Sequence, residues 1–130
     1  MENLEHARRI YEAFARHDGA ALAASLSPSF VGYVSDGMPG GAGSIASPAE
    51  MMNVWMRAAQ QFDVRPRPDE LIPLADGRIL VLGRYVSAAR STGKALDASF
   101  AHVLRFEGEK VTGLVQVTDT ARWHDALRRS

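Results

Sequence analysis

His102 is the one strongly polar side chain on an otherwise apolar strand face, and an imidazole at that place could donate, accept or transfer a proton. Residues 96–106 alternate in polarity. The positions that share a face with His102 are all apolar: Leu96, Ala98, Phe100, Leu104 and Phe106. This pattern predicts that the face contacts a core or a cavity. Because a buried polar group without a partner costs about 1–3 kcal/mol, we expect His102 to be either a hydrogen-bonded structural residue or a polar group in a ligand pocket.

The residue types that several other chemistries require are missing or wrongly spaced. The chain has no cysteine, which excludes disulfides, thiolate zinc sites and cysteine nucleophiles. The histidines show no metal-ligand spacing, and we expect His6, His17 and His124 to be solvated. The sequence has no G-x-S-x-G motif and no phosphate-binding loop. If the chain is an enzyme, acid–base or electrostatic catalysis without a metal or cofactor is therefore the option that remains.

Composition and charge indicate a single globular domain over residues 1–130. Of its 130 residues, 46% are hydrophobic, and 15 basic side chains balance 15 acidic ones. Nucleic-acid binders usually carry a basic excess, so we expect no nucleic-acid partner. No apolar run approaches the roughly 20 residues that cross a bilayer, and the first residues lack the profile of a signal peptide. We therefore expect a cytoplasmic protein that does not bind membranes.

Hydrophobic periodicity predicts helices in the first half of the chain and antiparallel strands in the second. Residues 4–17 have apolar positions at helical spacing, and Asp18 offers the N-cap of a second, shorter helix. Ser47 and Glu50 form a capping box at the start of a third helix. The order predicts an α+β fold with helices on one face of a curved sheet. Strands are expected over residues 30–35, 64–75, 78–90, 95–107 and 110–120.

Two segments could border a pocket, and a third indicates a partner. The glycine-rich segment 37–46 is either a lid over a pocket mouth or a plain connector. The third helix carries flexible apolar side chains, including Met52, Trp55 and Met56, which form either core or an adaptable lining for a bulky ligand. The strand at 78–90 begins with a run that is apolar on both sides, which predicts helices over one face and a partner subunit over the other.

Several segments resemble the SnoaL-like branch of the nuclear transport factor 2-like (NTF2-like) superfamily, which also includes ketosteroid isomerases and limonene epoxide hydrolases. The resemblance covers nearly the whole chain. It implies a cone-shaped fold, in which a curved antiparallel or mixed sheet wraps around about three N-terminal helices, and a homodimer through the outer sheet face. The family's cavity hosts many different functions. The segments that carry the resemblance are residues 7–14, 17–22, 91–96, 100–111 and 117–120.

The resemblance transfers the family's catalytic positions only in part. His102 falls where SnoaL-like cyclases have a catalytic histidine, and where ketosteroid isomerases have a neutral acid that donates to an oxyanion. The position of the cyclase base is Gln116 and that of the isomerase base is Val34, and neither side chain can take a proton. Asp36 lies two residues after Val34 and shares its face by alternation, so Asp36 is the expected base.

Asp119 is a second candidate carboxylate, in the last predicted strand. A bulge would turn it towards the cavity side of Gln116 and Thr118, and otherwise it pairs with Arg122 or caps the C-terminal segment. Limonene epoxide hydrolases need an Arg-x-Asp pair on a sheet strand. The corresponding segment here begins with Arg84 and has a valine in place of the acid, which argues against epoxide hydrolysis.

The favoured hypothesis is a cofactor-independent isomerase or cyclase that acts by acid–base chemistry on a bulky carbonyl compound, polyketide- or steroid-like. His102 would donate to the enolate oxygen or relay a proton, with Asp36 as base and Gln116 orienting the substrate or His102. The alternatives are a non-catalytic ligand-binding or assembly module with the same cavity, and a structural dimer with a packed core. The side chains expected to enclose the apolar ligand are Tyr11, Phe14, Tyr33, Met52, Trp55, Met56, Phe100 and Thr118.

Overall fold

Four helices and one curved sheet make up residues 2–129, the part of the chain that the structure describes. In this computed structural model the helices are α1 (Glu2–Ala15), α2 (Gly19–Ser25), α3 (Pro48–Gln61) and α4 (Thr120–Leu127). The strands are β1 (Leu26–Val34), β2 (Gly43–Ile45), β3 (Pro66–Pro73), β4 (Ile79–Ala88), β5 (Ala95–Glu107) and β6 (Lys110–Thr118). None of these helices has the length and apolar character needed to cross a membrane. The predicted α+β class is confirmed.

The sheet is mixed, and its pairing brings polar residues of neighbouring strands side by side. The strand order is β2–β1–β6–β5–β4–β3, with β1 parallel to β6 and the other neighbours antiparallel. His102 of β5 lies opposite Val81 of β4 on one side and opposite Gln116 of β6 on the other. Cross-strand partners point to the same face of a sheet, and all three of these residues are buried. His102 and Gln116 therefore meet on the inner face, beneath the helices.

Gly83 lets two segments approach each other closely on this inner face. It lies opposite Phe100 across the β4–β5 pair. A Cβ at Gly83 would lie 2.7 Å from Phe100 Cζ and would clash with the backbone carbonyl of Arg67 on β3. The absence of a side chain leaves room for the Phe100 ring, which packs against Tyr85 and stacks on His102 with centroid distances of 4.7 and 3.9 Å.

The turn between α1 and α2 places a histidine in a backbone conformation that usually belongs to glycine. His17 N–H donates to the Phe14 carbonyl and Asp18 N–H donates to the Ala13 carbonyl, the pattern of a Schellman motif. His17 has a φ of 55°, and it is the non-glycine residue with a positive φ within residues 2–129. Asp18 then caps α2 as predicted, because its side chain accepts from Ala21 N–H at 3.0 Å.

The start of α3 follows the predicted capping pattern with a shift of one residue. Ser47 Oγ accepts from Glu50 N–H at 3.2 Å, while the Glu50 carboxylate accepts from Ala46 N–H at 2.8 Å. The segment before this helix contains the short strand β2, which the sequence did not predict, and the Arg57 guanidinium of α3 donates to the Gly40 carbonyl at 2.7 Å. The glycine-rich segment thus connects β1 to α3 and is joined to both.

The sequence also did not predict α4, which closes one end of the inner layer. Its Trp123 is only 1% exposed and packs edge-on against Phe62 and Tyr85, with centroid distances of 5.0 and 4.9 Å. The indole N–H donates to Thr118 Oγ1 at 3.2 Å. Through Trp123, α4 packs against the Tyr85 ring.

The outer face of the sheet carries apolar side chains that are partly exposed in this chain. We predicted helices over one face of the strand at 78–90 and a partner subunit over the other; the inner side chains are buried beneath the helices, and the partner over the outer face stays a prediction. On the outer face Leu82 and Val86 are 36% and 45% exposed. They belong to a group that we call the outer apolar face, consisting of Val31, Leu82, Val86, Val115 and Val117.

Candidate functional site

A largely apolar cavity of about 410 Å³ lies between the inner face of the sheet and the helices. Its wall combines aliphatic and aromatic side chains of all three N-terminal helices with side chains of the sheet. Pockets of this size and composition are typical of small-molecule sites. Representative apolar lining residues are Ile10, Phe14, Leu22, Met51, Met52, Trp55, Met56, Phe30, Leu104 and Leu114.

His102 lies in this wall with a hydrogen bond at each ring nitrogen. Nδ1 is 2.7 Å from the hydroxyl of Tyr11 on α1, and Nε2 is 2.6 Å from the hydroxyl of Tyr85 on β4. The Phe100 and Tyr11 rings stack on the imidazole at interplanar angles of 15° and 13°. Hydrogen bonds and stacking together fix both the position and the plane of the ring.

Gln116 extends the hydrogen bonds of His102 and fixes their direction. Ser35 N–H donates to Gln116 Oε1 at 3.1 Å, and a backbone N–H cannot act as an acceptor. The amide nitrogen of Gln116 therefore faces the other way, where it donates to the Tyr85 hydroxyl at 3.1 Å. Ser35 Oγ also donates to the backbone carbonyl of Gln116 at 3.0 Å. This bond joins the end of β1 to β6. We call Tyr11, His102, Tyr85 and Gln116 the polar cluster.

Burial keeps the titratable members of the polar cluster uncharged. Desolvation lowers the pKa of His102 to about 3, so its imidazole is neutral at physiological pH. Desolvation likewise raises the pKa of Tyr11 well above its ordinary value. The pKa of Tyr85 is raised by the same cause, with a smaller opposing effect of the hydrogen bond from Gln116. The cluster therefore offers neutral donors and acceptors to a ligand, and no charge.

His102 and the two phenols together carry one more hydrogen than the two hydrogen bonds of the imidazole use. A neutral imidazole has one N–H, and each phenol has one O–H. With the imidazole hydrogen on Nδ1, Tyr85 donates to Nε2 and the Tyr11 O–H is unused. With that hydrogen on Nε2, Tyr11 donates to Nδ1 and the Tyr85 O–H is unused. In either arrangement one phenol hydrogen has no partner among residues 2–129, and both phenols line the cavity.

The orientation of Gln116 favours the first arrangement. Donation runs in one direction from Ser35 through Gln116 to Tyr85, and it continues in that direction if Tyr85 donates to His102 Nε2. Hydrogen bonds that point the same way along a chain strengthen one another. This direction predicts that His102 carries its hydrogen on Nδ1 and that the free O–H belongs to Tyr11.

The structure brings some of the predicted site residues to the cavity and leaves others outside it. Seven of them line the cavity: Tyr11, Phe14, Met52, Trp55, Met56, His102 and Gln116. Five do not: Tyr33, Asp36, Phe100, Thr118 and Asp119. Phe100 nonetheless contributes from behind the wall, because it stacks on His102.

Asp36 does not reach the cavity, because the alternation on which its placement rested ends with the strand. β1 stops at Val34, and the chain then turns at Gly37, whose φ is 86°. Asp36 is exposed in this turn, and its hydrogen bond with Tyr33 raises the pKa of that phenol. The glycine-rich segment sends Met38 into the cavity wall instead.

Asp119 and Thr118 have structural contacts outside the cavity. Asp119 is exposed after the end of β6, with a carboxylate oxygen 3.4 Å from the Arg122 guanidinium, which is one of the alternatives that we predicted. Thr118 Oγ1 donates to the Ser99 carbonyl at 2.7 Å. Within residues 2–129, no aspartate or glutamate therefore lines the cavity.

The inner face also lacks the arginine of an epoxide hydrolase. Arg84 points to the outer face, where its Nε lies 2.6 Å from the Asp97 carboxylate of the neighbouring strand. The next residue, Tyr85, is the one that points inward.

Sequence reasoning did not identify Tyr85 and Ser35 as partners of the site. The inner positions of β4 are Ile79, Val81, Gly83 and Tyr85, so the signal available in the sequence was one phenol in an otherwise apolar row. Its contact with His102 depends on strand register and on ring placement, which alternation does not give. Ser35 follows the last residue of β1, where no periodic signal remains.

Comparison with known proteins establishes the family. Residues 7–114 match the SnoaL-like domain, and the chain belongs to this family. The resemblance that the sequence motifs indicated is thereby confirmed. No curated protein matches the chain significantly in sequence.

Solved structures share the fold over nearly the whole chain. An NTF2-like protein of unknown function from Burkholderia pseudomallei is 30% identical, with 99% of each chain covered and a TM-score of 0.88. A candidate polyketide cyclase from Xanthomonas campestris pv. campestris is 13% identical over 98% of this chain and 97% of that chain, with a TM-score of 0.85. TerC, co-crystallised with polyporic acid, is 21% identical over 98% of each chain, with a TM-score of 0.85. At these lower identities the likeness concerns the fold.

The pKa of His102 predicts a specific loss of stability in acid. An unfolded histidine has a pKa of about 6.5, so below that pH the unfolded chain binds a proton that the folded chain excludes until about pH 3. The free energy of unfolding should therefore fall with decreasing pH across this window, by up to about 1.4 kcal/mol per pH unit from this group. Urea unfolding of wild type and His102→Gln across this window measures the difference.

Gln60→Ala, on the exposed side of α3, provides the control, since it removes no titratable group and should keep the wild-type dependence on pH. Equal pH slopes for wild type and His102→Gln would contradict the burial of a neutral imidazole.

Proposed function

We propose that this protein binds a bulky, mostly apolar compound that carries a carbonyl or enol oxygen. We further propose that it stabilises the enolate of that compound during an isomerisation or ring closure. The size and apolar wall of the cavity support the first part, because a volume of about 410 Å³ suits a compound of several fused rings. The flexible methionines Met51, Met52 and Met56 in the wall favour a ligand of irregular shape.

The observation that carries the proposal is the unused phenol hydrogen of the polar cluster. In a cavity with an apolar wall, a fixed neutral donor stabilises a developing oxyanion without having to reorganise. His102 holds the Tyr11 hydroxyl in place at 2.7 Å, so the donor is oriented before a ligand arrives. A ligand oxygen that accepts from Tyr11 would complete the cluster.

Likeness to known proteins supports this class of ligand. The resemblance of the sequence motifs implies that His102 falls where SnoaL-like cyclases have a catalytic histidine and where ketosteroid isomerases have a neutral acid. One structure with the same fold is described as a candidate polyketide cyclase, and another was co-crystallised with polyporic acid. On these grounds, together with the geometry of the polar cluster, we propose carbonyl compounds as the ligands of this chain.

A second function, ligand binding without turnover, is favoured by one observation. Enolisation needs a base, and no carboxylate within residues 2–129 lines the cavity. Asp36 is therefore not part of the proposed mechanism. The two functions share the same binding mode and differ in whether a bound ketone exchanges its α-hydrogen.

The binding mode predicts that affinity for a phenol depends on Tyr11. We expect 2-naphthol to bind in the cavity with its oxygen accepting from Tyr11, and Tyr11→Phe to weaken binding about 10-fold or more. Phenols of lower pKa should bind more tightly, because their oxygen carries more negative charge. Fluorescence titration measures both effects. Tyr33→Phe is the matched control, since Tyr33 lies outside the cavity, and equal losses in the two variants would refute the proposed donor.

Deuterium exchange then separates the two functions. In D₂O, wild type should accelerate exchange at the α-position of 2-acetylnaphthalene, because a base of the buffer removes the α-proton while the Tyr11 O–H stabilises the enolate oxygen. His102→Gln should abolish the acceleration. Tight binding of this ketone with no exchange would instead support the binding function.

We also propose that a second copy of this chain covers the outer apolar face. An isologous contact would bury the exposed valines and Leu82 against the same residues of the partner. Light scattering should give the mass of two chains for wild type and of one chain for Val117→Asp, because the contact would bury the new carboxylate. Ala20→Asp, on the exposed side of α2, is the control that should stay dimeric. A monomeric wild type would overturn this proposal.

A further inference from the structure

His17 is an ionisable side chain of the cavity wall that the proposed function does not use. Within residues 2–129, the ionisable side chains of the wall are Tyr11, Tyr85 and His102, all buried in the polar cluster, and His17, which is exposed. The other exposed residues of the wall are Gly19, Met56 and Ala59. We call these four residues the cavity mouth. The cavity therefore has polar groups at two places, the buried cluster and the mouth.

The backbone at His17 indicates that its side chain serves a purpose other than folding. It occupies the position of the Schellman motif where glycine is preferred, with a φ of 55°. A side chain there brings Cβ too close to the backbone, a cost that glycine avoids. Such strained positions are concentrated at binding and catalytic sites. Gly19, two residues after His17, does not occupy the left-handed position of the motif.

Three residues of the N-terminal segment connect the two polar places. Tyr11 and Phe14 lie on α1, and His17 lies in the turn that follows this helix, two residues after Ala15. All three residues line the cavity. A rigid ligand that extends from Tyr11 to His17 could bond to both, and Phe14 lies between them in the chain.

The neighbourhood of His17 favours a hydroxyl group at the outer end of the ligand. Asp63 Oδ1 lies 3.9 Å from His17 Nε2, and both side chains are about half exposed. Arg65 is also near the carboxylate, with Nε 4.0 Å from Oδ1, and Arg16 pairs with Asp18 at 3.6 Å. The surroundings of His17 thus carry charges of both signs. A hydroxyl can donate to an imidazole nitrogen or accept from an imidazole N–H.

We propose that His17 binds a hydroxyl at the outer end of the ligand, so that the protein selects elongated apolar compounds with an oxygen at both ends. This inference rests on the proposed function, because the inner oxygen must be held by Tyr11. It narrows the substrate class from any bulky carbonyl compound to one oxygenated at its two far ends.

Two probes of matched shape test the inference. Naphthalene-2,6-diol has a hydroxyl at each end, and 6-methyl-2-naphthol has a methyl group of similar size in place of one. The selectivity is the dissociation constant of the methyl compound divided by that of the diol. We expect His17→Gly to lower this selectivity about 10-fold relative to wild type, and His17→Asn to lower it less, because its amide can still hydrogen bond. His124→Asn is the control and should leave the selectivity unchanged.

His17→Gly also tests whether the histidine lowers the stability of the fold relative to glycine at this position. It should raise the thermal unfolding midpoint by about 3–5 °C, because glycine adopts the positive φ without strain. A midpoint that does not rise would remove the backbone argument and overturn the inference.

The outcomes separate this inference from the proposed function. If both probes lose affinity in Tyr11→Phe but the selectivity is the same in wild type and His17→Gly, the proposed function stands and the inference is wrong. If neither probe binds, or binding does not depend on Tyr11, both are wrong.

Discussion

The hydrogen bonding of one neutral imidazole by two phenols is the interaction on which the site depends. His102 is buried, so it cannot keep a charge, and each ring nitrogen needs a partner. Those partners come from α1 and from β4, on opposite sides of the ring. A missing partner would leave a buried polar atom at a cost of about 1–3 kcal/mol. The helix layer and the sheet are therefore joined by a polar contact within an apolar cavity.

The same contact gives the cavity its chemical character. Gln116, oriented by the backbone of Ser35, makes the hydrogen bonds run in one direction and leaves one phenol hydrogen for a ligand. An apolar wall strengthens that donor, because the local dielectric constant is low. The site is thus suited to an oxygen that gains negative charge, and no part of the described wall supplies a carboxylate that would remove a proton from carbon. The described wall thus has the donor that binding an enolate requires, but not a carboxylate base that would form one.

Period-2 alternation was enough to find His102, since residues 96–106 form a long, regular strand. It failed for Asp36, which lies just beyond the end of β1 at Val34, where the backbone turns and alternation no longer assigns a face. For Asp119, alternation without a bulge placed the carboxylate away from Gln116, and its pairing with Arg122 was one of the alternatives that we predicted. Tyr85 could not be matched to His102 without the register of β4 and β5, and Tyr11 is separated from His102 by 91 positions. The short elements β2 and α4 were missed because too few residues carry a periodic signal.

The state of the His102 imidazole is the most direct test of this account. Nitrogen-15 NMR of histidine-labelled protein distinguishes a protonated ring nitrogen from a bare one and reports exchange between the two tautomers. At about pH 5, where a solvent-exposed imidazole is mostly charged, the account predicts a neutral His102 with its hydrogen fixed on Nδ1. A doubly protonated ring, or two nitrogens averaged by rapid exchange, would contradict it.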